Sequence, residues 1–565
     1  MKSVMKKAMA LGIIFIMLLL LGGCTAENKK DKADVARIEW SDYDELLARS
    51  ASEVDPERRA LILHQAEDML LDTGCLIPLF HSRSSYLKKP DIEGVYLYND
   101  QVDFSHIRKA GADKISINIS TEISNADPMS GTTADLISVC LDTYARLLKV
   151  DETGAIVPDL AESYTVSEDG LTYEFILRDD LKWSDGSGLD AHDFEYSWKR
   201  AASSQNGFEY GSLYDCIVGY PDDLDVHSSE DGKKFTVRLS NPCAYFTGLC
   251  TFPPFSPVKQ EQVENAAGYK DAAGKVVSPS AWGTEGNIIS CGPYVLGDWT
   301  HNQSMTLMKN PYYYDADSVV TETVELMLTS DSAAAYSAYQ SGAISLMKGK
   351  VPSDILPTLI NDPEFYEIPQ NNTASIAFNC KSEFFAGMTE KEAKTFRKAL
   401  GYVVDREFIV KVALTGMEEI ALTYVPKGMH CGEGKLFGET EGYEYPYPGG
   451  YYPEKPDLDK AREMLESIGY EFGDDGKLKT PVYLEYMYNS AGSNEAVAVA
   501  LQADFAQLGI VLTPTVREWN VYIGEMNTGN FECGRDQWSA DYDDPYGMLN
   551  NYKSDSGNNK AQLGK

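Results

Sequence analysis

Val482 to Val516 reads VYLEYMYNSAGSNEAVAVALQADFAQLGIVLTPTV, the plainest local architecture in the 565-residue chain. Val482, Leu484, Tyr486 and Tyr488 recur at a period of two, which predicts a half-buried strand. Asn494 stands where an N-cap is expected, the following apolar stretch predicts a helix to Leu508, and Gly509 ends it. Ile510 to Val516 then reads as the next strand. Strand, helix and strand in succession form a βαβ-like unit, and that unit sets the expected class as α/β (α+β).

The alternation continues outward from this unit. Asp55-Pro56 supplies an N-cap and an N1 proline for a helix to about Leu71, with Leu63, Ala66 and Leu70 on one face. A short apolar strand, Cys75 to Phe80, follows. Asp190 to Asp193 resembles a capping box for a helix whose Phe194, Trp198 and Ala201 share a side. Asp457 starts another helix, with Ala461, Leu465 and Ile468 inward and Gly469 as its stop. Gly442 to Pro456 (GYEYPYPGGYYPEKP) reads as a long ordered surface loop. Thirty-five tyrosines is a high count. Most are expected to pack with a wetted hydroxyl, and Tyr and Trp also suit the walls of a binding cleft.

The first residues read as an address. Lys2, Lys6 and Lys7 precede an apolar run from Ala8 to Leu21, shorter than the roughly 20 residues a membrane-spanning helix needs. It ends in Leu21-Gly22-Gly23-Cys24, which resembles the bacterial lipobox. Residues 1–23 are therefore expected to be a signal peptide. Cys24 is expected to carry lipid, and 24–35, which include TAENKKDKAD (Thr25 to Asp34), to form a flexible tether. No later segment is long and apolar enough to span, so the protein is expected to be anchored rather than embedded.

The remaining stretch of about 540 residues suits two or three domains. Apolar content of 43% with 11% aromatic is rich enough for large cores. A formal charge of −36 argues against nucleic acid or an anionic membrane surface as a partner. Catalytic signatures are missing: no Gly-x-Ser-x-Gly, no His-Glu-x-x-His, no Gly-x-Gly-x-x-Gly and no P-loop. His64, His81, His106, His192, His227, His301 and His430 are scattered without metal-ligand spacing, so neither a metal nor another cofactor is expected. Abundant carboxylates leave a glycosidase pair open on composition, but nothing singles one out.

Apart from Cys24, nine cysteines remain: Cys75, Cys140, Cys216, Cys243, Cys250, Cys291, Cys380, Cys431 and Cys533. Nine is odd and no Cys-x-x-Cys occurs, so neither a zinc ribbon nor a redox motif is supported. Pairing of some after export and free buried thiols both fit the sequence, which does not say which would pair.

Several segments resemble the extracellular solute-binding proteins that include the bacterial oligopeptide- and dipeptide-binding proteins. They are WSDGSGLDAHDFEYSWKR (Trp183 to Arg200), NPCAYF (Asn241 to Phe246), CGPYVLGDW (Cys291 to Trp299), FRKALGYVVDRE (Phe396 to Glu407) and WSADYDDP (Trp538 to Pro545). They run in family order from Lys114 onward. The stretch Trp40 to Ile107, with DPERRALILHQAEDMLL, CLIPLF and YLKKPDIEGVYLY, resembles the segment that ends the family's chains. Here it comes first, which implies a circular permutation joined at about Arg108 to Lys114; a relocated coding segment is the alternative.

The resemblance implies a two-lobed fold of the periplasmic-binding-protein type with an extra domain. Mapped by motif, residues 36–83 and 373–565 make lobe II, 84–143 and 260–372 make lobe I, and 144–259 make the extra domain. Closure of the lobes over ligand is the implied motion. The implied function is a receptor that binds short peptides and hands them to the permease of an ATP-driven importer, as a lipid-anchored monomer on the outer face of the cell membrane or in the periplasm. No catalytic role is implied. Other members bind nickel complexes, haem, oligosaccharides or signalling peptides, and the fold alone does not choose among these. A secreted hydrolase is the reading from another class.

The resemblance also implies the site. Asp541 stands where peptide-binding members hold the ligand's ammonium. Gln537 to Ala540, including Ser539, would be an edge strand pairing with the peptide backbone, with Asn372 to Ser375 on its opposite side. Trp519 and Trp538 would wall side-chain pockets. Thr132 and Ala134, after the turn Asn125 to Pro128, would line the cleft from lobe I, and Arg535 could meet a ligand carboxylate. Two departures stand out: a cysteine pair that some members carry is Asn372 and Ser539 here, and a carboxylate-binding histidine of some members aligns near Asn494.

Overall fold

The computed structural model describes residues 38–565, except 99–100, 120–121, 132, 152, 285–287, 349–350, 353, 415, 433–434, 491 and 541. The signal peptide, tether and Cys24 lie outside the described residues, as do Thr132 and Asp541.

Two helices come first, α1 (Ser41–Ser52) and α2 (Pro56–Asp72). The Asp55 carboxylate accepts from Arg58 N at 2.9 Å, Pro56 takes the first helical position, and Leu63, Ala66 and Leu70 are fully buried. Strand β1 (Leu76–Lys88) follows and is longer than the six residues expected. Its second half, HSRSSYLK, is polar and has no strand signal of its own; pairing with neighbouring strands extends it.

Next come β2 (Lys114–Ile119) and α3 (Ala134–Thr143). A small antiparallel sheet is then built from β3 (Ala161–Val166), β4 (Thr172–Leu177), β5 (Val226–Ser228) and β6 (Lys234–Arg238), in the order β5-β6-β4-β3. Helix α4 (Ala191–Ala202) packs on it, with the capping box from Asp190 and Asp193 formed and Trp198 edge-on to Phe235.

The rest of the chain contributes β7 (Tyr294–Thr300), β8 (Ser304–Lys309), β9 (Thr323–Leu328), β10 (Leu346–Lys348), β11 (Phe365–Phe378), α5 (Glu390–Val403), α6 (Leu458–Ser467), β12 (Val482–Asn489), α7 (Asn494–Ala506), β13 (Ile510–Arg517), α8 (Trp519–Thr528), β14 (Cys533–Ser539) and α9 (Pro545–Leu549). One mixed sheet collects ten of the strands in the order β7-β8-β9-β2-β10-β1-β11-β14-β12-β13, with Glu419–Ile420 added against β1. Strands β12 and β13 run parallel in register from Val482↔Ile510 to Asn489↔Arg517, joined by α7 as the sequence predicts. Ser493, not Asn494, occupies the N-cap of α7; the Asn494 amide instead donates to Asn489 O and Oδ1 at 3.1 and 3.0 Å.

The two longest strands, β1 and β11, form the middle of this sheet. Their antiparallel register shifts between His81↔Thr373 and Arg83↔Pro369, where two steps on β1 face four on β11. Pro369 has no N–H to offer, and such an irregularity is where a strand tolerates it.

Residues Ile38 to Leu76 share one hydrophobic core with Ala377 to Leu563. Trp40 Nε1 donates to Tyr552 O at 2.7 Å, and Tyr43 Oη to Leu549 O at 2.7 Å. His64 is part of this packing, stacked between Phe437 and Tyr443 with centroids 3.8 and 3.7 Å away. A separate core runs from Ile92 to Leu346 and includes the small sheet. The joining stretch is ordered: Arg108–Lys109 pairs with Ile92–Glu93. Among the described residues no helix is long and apolar enough to cross a membrane.

Candidate functional site

Strand β14 pairs antiparallel with β11 from Cys533↔Phe378 to Ser539↔Asn372. Just past its end, Ala540 N donates to Asn371 O at 2.8 Å. In an antiparallel ladder, hydrogen-bonded and non-hydrogen-bonded pairs alternate. Asp536 and Trp538 therefore direct their main-chain groups at β11, whereas Arg535, Gln537 and Ser539 direct theirs to the other edge. The Arg535 carbonyl indeed accepts from the Tyr522 hydroxyl. On that edge β12 pairs only with Cys533 and Gly534. Gln537 and Ser539 thus present main-chain groups on a strand edge that β12 does not reach.

The side chains of Arg535, Gln537 and Ser539 share one face, because residues two apart in a strand do. Gln537 Nε2 donates to Ser82 Oγ at 3.0 Å and to Asn372 Oδ1 at 2.7 Å, and Ser82 Oγ to Asn372 Oδ1 at 2.8 Å. Arg535 donates to Gln537 Oε1 and, at 3.3 Å, to Asn489 Oδ1. Asn372 and Ser539 are cross-strand neighbours joined through Asn372 Nδ2 and Ser539 Oγ. The face is a chain of amides and hydroxyls with one guanidinium, well suited to polar recognition. Ser82 and Asn489 were not singled out from the sequence; only the sheet register brings them here.

The opposite face is structural. Trp538 is half-buried against the core that holds Trp40 and Tyr43 and donates from Nε1 to Gly547 O at 3.1 Å, on the face away from Arg535 and Gln537. Ser375 is buried opposite Asp536 on this same face. Burial pushes the Asp536 carboxyl up against the bond from the Tyr552 hydroxyl. His81 is buried between Thr373 Oγ1, 2.9 Å from Nδ1, and Thr423, and burial lowers its pKa to about 4.

Asp541 lies outside the described residues, but its neighbours bracket it. Ala540 is tied to Asn371, Tyr542 stacks on Tyr245 of the small-sheet region at 4.9 Å, and Asp543 accepts from Asn371 Nδ2 at 2.7 Å and contacts His430 Nδ1. Burial pushes the Asp543 carboxyl up to about 8. Asp544 is held bidentately by Arg59, both contacts 2.7 Å, and caps α9 through Tyr546 N at 2.9 Å. The α2 helix therefore braces the loop that carries Asp541.

Trp519 opens α8 and is 52% exposed, available as a wall. Ala134 is half-buried at the start of α3, and the next turn is tied to Lys348 of β10 through Ser138. Thr132 lies outside the described residues. The turn before it is anchored: Asp127 forms a buried ion pair with Arg200, which gives the last residues of the WSDG…WKR motif a structural role. No group of three or more His, Cys, Asp or Glu among the described residues could hold a metal ion.

Residues 155–560 match the model of bacterial extracellular solute-binding proteins, family 5 Middle. The oligopeptide-binding protein OppA of Bacillus subtilis is 28% identical over 464 residues, 80% of this chain and 79% of that protein. The probable deoxycholate-binding periplasmic protein YgiS of Escherichia coli is 27% identical over 447 residues, covering 77% and 76%. Among solved structures, the unliganded open form of the periplasmic murein tripeptide-binding protein MppA superposes with a TM-score of 0.64 at 25% identity, covering 80% of this chain and 84% of that one. The family consists of solute-binding proteins located outside the cytoplasm, not of enzymes. A strand edge beside a polar face, on a chain matched to that family over most of its length, belongs to a member of the bacterial extracellular solute-binding proteins, family 5.

Proposed function

We propose that the protein captures a short peptide in extended conformation along the open edge of β14 and delivers it to the permease of an ATP-driven importer. The carrying observation is the register that turns the main-chain groups of Gln537 and Ser539 toward an edge β12 does not cover. Strand addition gives affinity from the ligand backbone without reading its sequence. Asp541 would take the ammonium, Arg535 a carboxylate, and Trp519 and Ala134 would border the cleft. The names of relatives that bind oligopeptides or a murein tripeptide agree with this reading.

Lobe closure would pivot on β1 and β11 near their register shift, the division of domains being that implied by the motifs. A lipid on Cys24 would hold the receptor at the membrane. We also propose that the chain order is permuted: α1 and α2 pack on α9 and the 550–564 stretch, where a terminal segment of the family would lie. A second reading, an amphiphilic carboxylate as ligand, draws on the similarity to YgiS and on the exposed Trp519, whose ring lies beside Tyr522, the residue whose hydroxyl donates to the Arg535 carbonyl.

Mass spectrometry of ligand released from the purified protein separates the two. Asp541→Ala should weaken peptide binding by about 3–5 kcal/mol if a buried ammonium pair is lost, with the melting temperature little changed. Unchanged calorimetric affinity would remove Asp541 from the site, and a released steroid acid would overturn the peptide reading.

A further inference from the structure

Nine cysteines fall among the described residues, all of them free. Cys75 and Cys380 lie side by side, and so do Cys216 and Cys243, each thiol close enough to act on its partner's charge. Topology explains both contacts. Phe378 N donates to Cys75 O at 2.8 Å, so these residues face each other where β1 begins and β11 ends. Cys380 lies two residues further on, which returns its side chain to the side of Cys75. In the small-sheet region Ser240 N donates to Cys216 O at 2.8 Å, and Asn241-Pro242 brings Cys243 back over Cys216. Cys75, Cys380 and Cys243 are buried, each pair within a single core.

We propose that Cys75–Cys380 and Cys216–Cys243 are disulfides in the exported protein, and that Cys140, Cys250, Cys291, Cys431 and Cys533 remain thiols. Thiols already side by side need only small side-chain and backbone adjustments to reach an S–S bond of about 2.05 Å. A family located outside the cytoplasm meets oxidising conditions, where such bonds persist. Each bond forms by attack of one thiolate on a disulfide oxidant, a dithiol oxidase or oxidised glutathione. The partner thiolate then attacks the mixed disulfide. Two protons and two electrons leave the pair, and the oxidant's S–S bond is reduced to two thiols. Burial opposes the thiolate at either sulfur of the Cys75–Cys380 pair, and the Arg397 charge beside both favours it. Among the unpaired thiols, Cys291 and Cys533 donate to the carbonyls of Ala145 and Glu485, and burial raises the Cys431 pKa to about 11.

Neither bond links one core to the other, so both stiffen the molecule without blocking closure. Cys75–Cys380 fastens the start of β1 to the end of β11.

The test is peptide mapping of the full chain equilibrated with reduced and oxidised glutathione, then denatured and alkylated with iodoacetamide without reduction. Tryptic digestion should release two cross-linked pairs, one joining Cys75 to Cys380 and one joining Cys216 to Cys243, both abolished by dithiothreitol. Cys140, Cys250, Cys291, Cys431 and Cys533 should be alkylated in full. Alkylation at Cys75, Cys380, Cys216 and Cys243, or a cross-link joining Cys243 to Cys250 instead, would overturn the assignment.

Discussion

Proline at Ser539 and proline at Ala540 should have opposite consequences, although the positions are adjacent. The Ala540 N–H donates to Asn371 O at 2.8 Å, so Ala540→Pro removes a ladder bond and forces a ring into a site only 8% exposed. Loss of the bond costs about 0.5–1.5 kcal/mol and overpacking about 1–3 kcal/mol, for a total of about 1.5–4.5 kcal/mol. Ser539 is exposed and its N–H is directed away from β11, so Ser539→Pro loses no ladder bond. It does lose the bond from Asn372 Nδ2 to Ser539 Oγ, so its fold should be destabilised by about 0.5–1.5 kcal/mol, less than by Ala540→Pro. On the ligand side it removes a main-chain donor. One such bond is worth about 1–1.5 kcal/mol, a loss of five- to tenfold or so in affinity. Urea denaturation reads the first quantity and titration calorimetry with the co-purifying ligand the second. If Ser539→Pro shifts the urea midpoint as far as Ala540→Pro does, the register argument is wrong. If it leaves affinity unchanged, the ligand does not use this edge.

The ion pair between Arg59 and Asp544, with side chains 4% and 9% exposed, makes a second test. Asp544→Asn strands a buried guanidinium and should cost about 3–5 kcal/mol in urea, whereas Arg59→Met combined with Asp544→Leu should recover most of it, short of about 1 kcal/mol for the lost cap. Glu67 predicts a pH dependence: burial pushes its pKa up to about 8 from an ordinary 4.5, despite bonds from Tyr424 N and Val425 N. The folded state therefore holds this proton more tightly, so its contribution is complete below pH 4.5 and is lost as pH rises through 8. Melting temperature should fall across that window in the wild type and fall less in Glu67→Gln; parallel curves would exclude Glu67. Finally, transferring residues 38–107 to follow Lys565 preserves the packing of Trp40 against Gly564 and Tyr552, so the rearranged chain should unfold cooperatively near the wild-type temperature. Failure to fold would count against a permuted order.

Local signals carried far in this chain. The strand–helix–strand from Val482 to Val516 was legible to within a residue or two, because alternation and a glycine stop act over one or two turns. The caps at Asp55, Asp190 and Asp457 were legible for the same reason: a carboxylate bonds the amides two or three residues ahead. The motif order was enough to point to the family.

Other features waited on partners distant in sequence. The polar half of β1 is strand only because β10 and β11 flank it. Trp538 reads as a cleft residue within WSADYDDP, and the register against β11 sets it on the face away from Arg535, Gln537 and Ser539. Ser82 and Asn489 carry no local mark of function, and the odd set of cysteines did not say which thiols meet. The sequence alone determined the elements, their caps and the kinship. The tertiary structure decided strand partners, faces and thiol contacts, because these depend on which remote segments the sheet sets side by side.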